Sequence, residues 1–354
     1  MLPVVRGVCS ASLIMLCSFG PAWAASDELV AAAKKEGVVS IYSATDMSQA
    51  QTLLDAFKRK YPEIRVDYND LGTNGVYNRV ISEAAAKQVG GDFLWTSAMD
   101  QTVKLAQDGY LATYKSPEIP ALPSWAHYND TVYATTIEPI GMIYNKTLLP
   151  ENEVPKTRAD LIAFMKSDKA KGRVGTFDPE KSGVGFMIQT NDMKQTGNYW
   201  DLVAEFGAAG GKTYSASGAM RETVVSGENI LSFNLIGSYA FDWVKDSPNL
   251  GVAFGTDYTP AFSRVAAVIK NAPHPNAGQL FLDFLLSKEG QDAIAAKGLP
   301  SLRTDVTDGF NINTLNERVG GNLKPIPLDQ SRLEFMDPMK RMDFLKKWRA
   351  SIKS

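Results

Sequence analysis

The residues of this chain best placed for chemistry are hydroxyls and amides, and they recur at the ends of apolar runs. Ser43 and Thr45 follow "VVSIY", Thr73 and Asn74 follow "IRVDYNDLG", and Thr96 and Ser97 follow "DFLW". Each set is succeeded by apolar residues at helical spacing, so each stands between a strand and a helix. Ligands of open α/β sheets bind beyond the carboxyl ends of the strands. The first N–H groups of a helix lack intrahelical partners and carry partial positive charge, which suits an anion. One such loop is ordinary turn and cap chemistry; three that converge on one crevice point to a binding site. Further along, Ser182 and Gly183 in "FDPEKSGVGF" have the same form, and Ser238 and Tyr239 follow "ILSFNLIG". Phe241 and Trp243 alternate with Tyr239, as a buried strand continuation would. The Tyr239 hydroxyl needs a partner if buried.

Groups that would transform a ligand are scarce. No G-x-S-x-G elbow occurs. "GAAGGKT" at 207–213 resembles a phosphate loop, but its spacing is one residue short and it follows a helical pattern. His127 and His274 have no carboxylate at metal-binding spacing and read as surface residues. No catalytic residue, metal site or cofactor is expected, and a receptor fits this inventory better than an enzyme.

The first residues read as a secretory leader. Arg6, a short apolar run and Ala22-Trp23-Ala24 form the pattern, with cleavage expected after Ala24. Both cysteines, Cys9 and Cys17, fall within that leader. The mature chain then has no thiol, which excludes thiolate catalysis, Fe–S clusters and Cys-based zinc sites. Export without disulfides suits a bacterial periplasm. The net charge of −2 becomes one unit more negative without Arg6, so no nucleic-acid partner is implied. No later segment is long and apolar enough to span a membrane.

The elements that must position these residues are legible from periodicity. "VVSIYS" reads as a strand of a parallel sheet covered on both faces. Met47, Ala50, Leu53, Leu54, Phe57 and Tyr61 mark a helix that Ser48 could cap and Pro62 ends. "IRVDYNDL" is a second strand, "GTNG" a loop, "VYNRVISEAAAK" a helix, and "DFLWTS" a third strand before a helix over 99–108. This β-α alternation predicts a doubly wound α/β unit. A Pro-rich stretch and the β-prone "VYATTIEPIGMIYN" lead to a second α/β region. Its strands are "RVGTFD", "ILSFNL" and "GVAFG", with helices near Arg158–Ser167, Tyr199–Ala208 and Ala219–Ser226. "SRVAAVIK" is another strand, and "HPNAGQLFLDFLLSKEGQDAIAAKG" holds about two helices. The basic, amphipathic residues 336–353 read as a packed terminal helix, with membrane contact or a Met-rich copper site as sharper alternatives.

Several segments together resemble periplasmic solute-binding proteins of ABC importers, in the branch for ferric iron, phosphorylated sugars and phosphonates. They are "VVSIYSATD", "LLDAFKRKYPEIRV", "DFLWTSAMDQTVKLAQDGYLATYKSP", "PIGMIYNKTLLP", "FDPEKSGVGF", "VVSGE" and "NAPHPNAGQLFLDFLLSKEGQ". The resemblance implies a type II fold of two lobes joined by two crossover strands, closing on a ligand in the crevice. The expected divisions are lobe 1 over 25–138, lobe 2 over 139–256, a return to lobe 1 over 257–305 and a C-terminal helical segment over 306–354, with crossings near Thr135–Asn145 and Gly251–Pro260. The resemblance also implies an inner-membrane permease as partner, and a monomer. Its iron-binding members use a histidine, a glutamate and two adjacent tyrosines where this chain has Asp46, Ser97 and Tyr239-Ala240. A small anion, a carboxylate, phosphonate or phosphate ester, is therefore expected before ferric iron. Trp95, Tyr42 and Tyr239 could cover its organic body. Arg79 and Arg264 are the candidate cations, each equally readable as structural. A ligand-binding subunit of a signalling system would use the same crevice.

Overall fold

Alternating apolar runs and helical periodicity build two sheets whose strand ends face each other. The computed structural model describes residues 25–353, so the expected leader, residues 1–24, lies outside the described residues. In chain order come α1 (Asp27–Glu36), β1 (Val38–Ser43), α2 (Met47–Lys60), β2 (Arg65–Asp70), α3 (Gly72–Ala86), β3 (Phe93–Thr96), α4 (Met99–Gln107), β4 (His127–Tyr128) and β5 (Val132–Ala134). Then follow β6 (Glu138–Asn145), α5 (Arg158–Met165), β7 (Val174–Phe177), α6 (Gly183–Gln195), α7 (Tyr199–Ala208) and β8 (Lys212–Tyr214). Next are α8 (Ser217–Val225), β9 (Leu231–Ile236), α9 (Gly237–Asp246), β10 (Leu250–Ala253) and β11 (Thr259–Phe262). The chain ends through β12 (Val265–Val268), α10 (Pro275–Leu286), α11 (Lys288–Ala295), α12 (Ile312–Arg318), β13 (Leu323–Pro325) and α13 (Pro338–Ser351). The first sheet has the order β2-β1-β3-β12-β5-β4. The second runs β13-β11-β6-β9-β7-β8, with β10 also on β6.

Register places the crevice. In the first sheet Ser43 lies opposite both Asp70 and Trp95, so β1, β2 and β3 end level with one another. β12 runs antiparallel to β3 and β5, pairing Val265 with Thr96 and Ala134, so both crossovers leave from that same edge. In the second sheet β7, β8 and β9 are mutually parallel and β6 is antiparallel to β9, with Ile140 opposite Ile236. Their carboxyl ends lie beside the start of β6. The pairing of β6 with β9 shifts register between Gly141 and Ile143. Gly141 is required there, since a Cβ would stand 2.8 Å from the Phe254 ring and 2.9 Å from Ala253 O.

Several expectations change. "GTNG" is not a loop: Gly72 opens α3, putting Thr73 and Asn74 in its first turn. Asp46, not Ser48, is the N-cap of α2. Tyr239, Phe241 and Trp243 lie on a helix, α9, rather than a strand. The return to the first sheet comes at 263–264 rather than 257, because β11 still pairs with β6 and β13. A third passage then takes the chain back to the second sheet, where β13 lies beside β11; the segment after 305 is not purely helical. Residues 338–351 form the packed helix of the plainer reading. Phe344 and Trp348 are buried with Phe186 and Tyr199, while Met339 and Met342 stay exposed. Both histidines have carboxylate neighbours: His274 Nδ1 is 3.0 Å from Asp92 Oδ2, and His127 Nδ1 is 3.3 Å from Asp130 Oδ1. Among the described residues no helix is long and apolar enough to cross a membrane.

Candidate functional site

Six helices begin at the crevice: α2, α3 and α4 from one lobe, α6, α8 and α9 from the other. Between them lies a cavity of about 190 Å³, lined by residues of both lobes. At roughly 30 Å³ per water it holds about six waters, so it suits a small solute. A larger groove of about 540 Å³ lies among Lys87, Gly109 and Lys270, at the far edge of the first sheet. It is lined by residues of the first lobe alone, so it is not the crevice between the lobes.

The structure divides the ten expected ligand contacts into three groups. Thr73, Ser97, Ser182 and Tyr239 line the cavity. Asn74 and Gly183 sit in the seam where the lobes touch. There Gly183 N–H donates to Thr73 Oγ1 (3.0 Å), Asn74 Nδ2 donates to Lys181 O (3.2 Å) and Gln101 Nε2 donates to Asn74 Oδ1 (2.7 Å). Ser43, Thr45, Thr96 and Ser238 are not cavity-lining, because each is engaged by the protein. Ser43 Oγ donates to Trp95 O (2.9 Å) and accepts from Tyr68 OH (2.8 Å). Thr96 Oγ1 accepts from Ala98 N–H (3.4 Å) and Thr45 Oγ1 from Arg264 Nη1 (2.7 Å). Ser238 Oγ donates to Glu138 Oε2.

Two buried serines at the cavity have hydroxyls without a protein partner. Ser97, which immediately follows β3, is 1% exposed and its hydroxyl makes no hydrogen bond among the described residues. Ser217, the first residue of α8, is 5% exposed and its Oγ is likewise unpartnered. A buried hydroxyl without a hydrogen bond is costly, so Ser217 is poised for a ligand; the Ser97 hydroxyl is unpartnered and lines the same cavity. Ser182 differs, because its Oγ already caps α6 by accepting from Gly185 N–H (3.1 Å).

Behind the cavity sits a neutralised cation. Arg264 is fully buried, its Nε 2.8 Å from Glu138 Oε1 and its guanidinium 5.0 Å above the Tyr239 ring. Burial pulls the guanidinium pKa down, but the Glu138 carboxylate more than offsets this and holds it above its usual value. Burial pushes the Tyr239 phenol well up, against the opposing charge of Arg264. Arg264 is thus a structural cation. Arg79 does not line the cavity; it pairs with Glu83 and lies over the Tyr42 ring. Trp95 and Tyr42 are also absent from the lining, Trp95 Nε1 donating to Thr135 Oγ1 (2.9 Å) and Tyr42 OH to Glu83 Oε1 (2.8 Å). Phe177, Val184 and Ile236 supply the apolar wall instead.

The residues missed from the sequence are Asp70, Ser215 and Ser217, with Asp46 noted only by position. A signal existed for the serines: "YSAS" places hydroxyls after the β8 strand and before a helix, the pattern already recognised elsewhere. Asp70 ends β2 just as Ser43 ends β1.

A family model for bacterial extracellular solute-binding proteins matches residues 52–316. Among solved structures, the substrate-binding protein of an ABC transporter from Agrobacterium tumefaciens is 34% identical, with a TM-score of 0.84 over 89% of this chain and 94% of that one. Iron-bound HitA from Pseudomonas aeruginosa is 20% identical with a TM-score of 0.71, over 89% of this chain and 99% of HitA. AfuA from Actinobacillus pleuropneumoniae, with fructose-6-phosphate bound, is 19% identical with a TM-score of 0.69, over 90% and 99%. The last two likenesses carry the fold, a type II periplasmic binding protein, and not the ligand.

Proposed function

We propose, for a chain that belongs to the bacterial extracellular solute-binding protein family and is thereby a non-enzymatic component of an ABC transporter, that its cargo is a small anionic solute held mainly by neutral donors. The observation that carries this reading is a cavity ringed by helix N-termini and lined by two unpartnered hydroxyls, the fully buried one of Ser217 and that of Ser97, a residue only 1% exposed. Helix N-termini bind carboxylate and phosphate through free N–H groups and the dipole. The protein would capture such a solute, close over it and present it to the membrane permease.

The leader-like first residues support a periplasmic site of action. Ferric iron is the less favoured cargo. Hard Fe³⁺ wants several anionic oxygens, whereas this cavity offers two carboxylates, Asp46 and Asp70, and one tyrosine whose phenol burial holds in its neutral form, and among the described residues no cluster of three or more His, Cys, Asp or Glu side chains could hold a metal. The relatives that bind iron or a sugar phosphate bear on the fold that both chemistries share.

Native mass spectrometry of the purified protein, followed by denaturing release of any bound molecule, tests the reading. Titration calorimetry against carboxylates, phosphonates, phosphate esters and ferric citrate completes it. Tight binding of one anion class with no response to iron is expected. Tight binding of bare Fe³⁺, with a tyrosinate charge-transfer band lost in Tyr239→Phe, overturns it.

A further inference from the structure

Asp46 and Asp70 both face the cavity, and no side chain of the protein neutralises either. Asp46 is the N-cap of α2, yet its carboxylate caps no backbone N–H. The Asp70 carboxyl is held above its usual range, first by burial and then by the charge of Asp46, against the Gly72 N–H and then the charge of Arg264. The two carboxylates therefore interact. Arg264 itself is matched by Glu138. Among the described residues lining the cavity there is no Lys, Arg or His.

This creates an electrostatic conflict for a plain anion. One part of the wall offers helix N-termini and unpartnered hydroxyls. Another part presents two carboxylates without an ion-pair partner, whose repulsion of an anion is strengthened as water leaves the closing crevice. The conflict is removed by a solute with charge of both signs. We propose that the solute is zwitterionic: its anionic head lies among the first turns of the helices with Ser97 and Ser217, and an ammonium group at its other end lies against Asp46 and Asp70. This inference rests on the anion reading of the same site. The orphaned buried hydroxyl of Ser217 is an independent sign that a ligand completes the pocket. A polyol would hydrogen-bond to the carboxylates but leave their charge uncompensated, so an amine is the better match.

Matched probes that differ by one ammonium group test this by titration calorimetry. The probes are ethyl phosphate with ethanolamine phosphate, propionate with 3-aminopropionate, ethylammonium alone, and a hexose phosphate. The amine-bearing member of at least one pair should bind at least tenfold tighter than its partner. In the double variant Asp46→Asn, Asp70→Asn that advantage should vanish, with the amine-free anion bound as well as before or better. Equal or weaker binding of both amine-bearing members, or a hexose phosphate that binds tighter than either, overturns the zwitterion and leaves the anion reading standing. An advantage that survives the double variant overturns the assignment to Asp46 and Asp70. Ethylammonium binding as tightly as ethanolamine phosphate, or no binding of any anion, overturns the anion reading and this inference with it. The wild-type comparison decides the solute class even if the double variant does not fold.

Discussion

Arg264 and Glu138 meet, fully buried, where the chain crosses between the two sheets, with Nε 2.8 Å from Oε1. Glu138 opens β6 after the first crossover and Arg264 precedes β12 on the second. Arg264 N–H also donates to Thr136 Oγ1 (2.8 Å), and Thr135 Oγ1 donates to Arg264 O (3.0 Å), so the crossovers are stitched side by side. The pair leaves the site without a free guanidinium and ties Thr45 of one lobe to Ser238 of the other.

Removing one partner of this pair should destabilise the whole protein. Glu138→Gln leaves a buried guanidinium without its counter-charge, a loss of about 3–5 kcal/mol. The guanidine midpoint should fall accordingly. A change below about 1 kcal/mol would mean that the pair is solvated in solution.

The two orphaned hydroxyls should separate binding from stability. Ser97→Ala and Ser217→Ala remove groups that have no protein partner, so the apo melting temperature should hold or rise slightly. Each should weaken the cognate anion by about ten- to a hundredfold, since a hydrogen bond to a charged group contributes about 1.5–3 kcal/mol. Calorimetry on each variant reads this. An unchanged affinity removes that serine from the site.

The seam between the lobes should govern closure. In Thr73→Val the acceptor for Gly183 N–H is lost, and the closed form loses about 0.5–1.5 kcal/mol. Affinity should fall by roughly two- to tenfold. Small-angle scattering of the ligand-free variant should show a more open particle than wild type. An identical radius of gyration with identical affinity would count against this bond as a latch.

Asp100 should make stability depend on pH. It lies near the start of α4 beneath the C-terminal segment, where burial pushes its carboxyl up to about 6 against the Gln101 N–H and the charges of Arg341 and Arg332. Its proton is held more tightly in the folded chain than in the unfolded one. Folding is therefore favoured while it stays protonated, and this advantage is lost as pH rises from about 4 through 6. Asp100→Asn should raise stability at about pH 7.5 by about 2–3 kcal/mol and change it little at about pH 4. Urea midpoints at the two pH values measure the difference.

Much of the architecture was legible because its determinants are local. The run Val38–Ser43, the spacing of Met47 to Phe57 and the periodicity of Tyr199–Ala208 depend on neighbours within a few residues, and they folded as read. Where two local readings competed, the sequence alone chose poorly. Tyr239, Phe241 and Trp243 fit a strand by alternation, but the helix that starts at Gly237 packs against β6 and β10 and prevails.

For the site, the sequence by itself determined that hydroxyls and amides stand at strand ends, with few groups able to transform a ligand. Only the tertiary structure decided which of them remain free. Ser43 and Ser97 look equivalent in the chain, yet Ser43 is claimed by Trp95 O and Tyr68 while Ser97 keeps an unpartnered hydroxyl. Asp46 and Asp70 lie 24 positions apart and come together because the parallel register of β1 and β2 sets Ser43 level with Asp70. Arg264 was readable as a ligand contact until Glu138, 126 residues earlier, took its charge. Strand pairing and burial act between residues distant in sequence, and they settle which polar group is satisfied within the protein and which is left for a ligand.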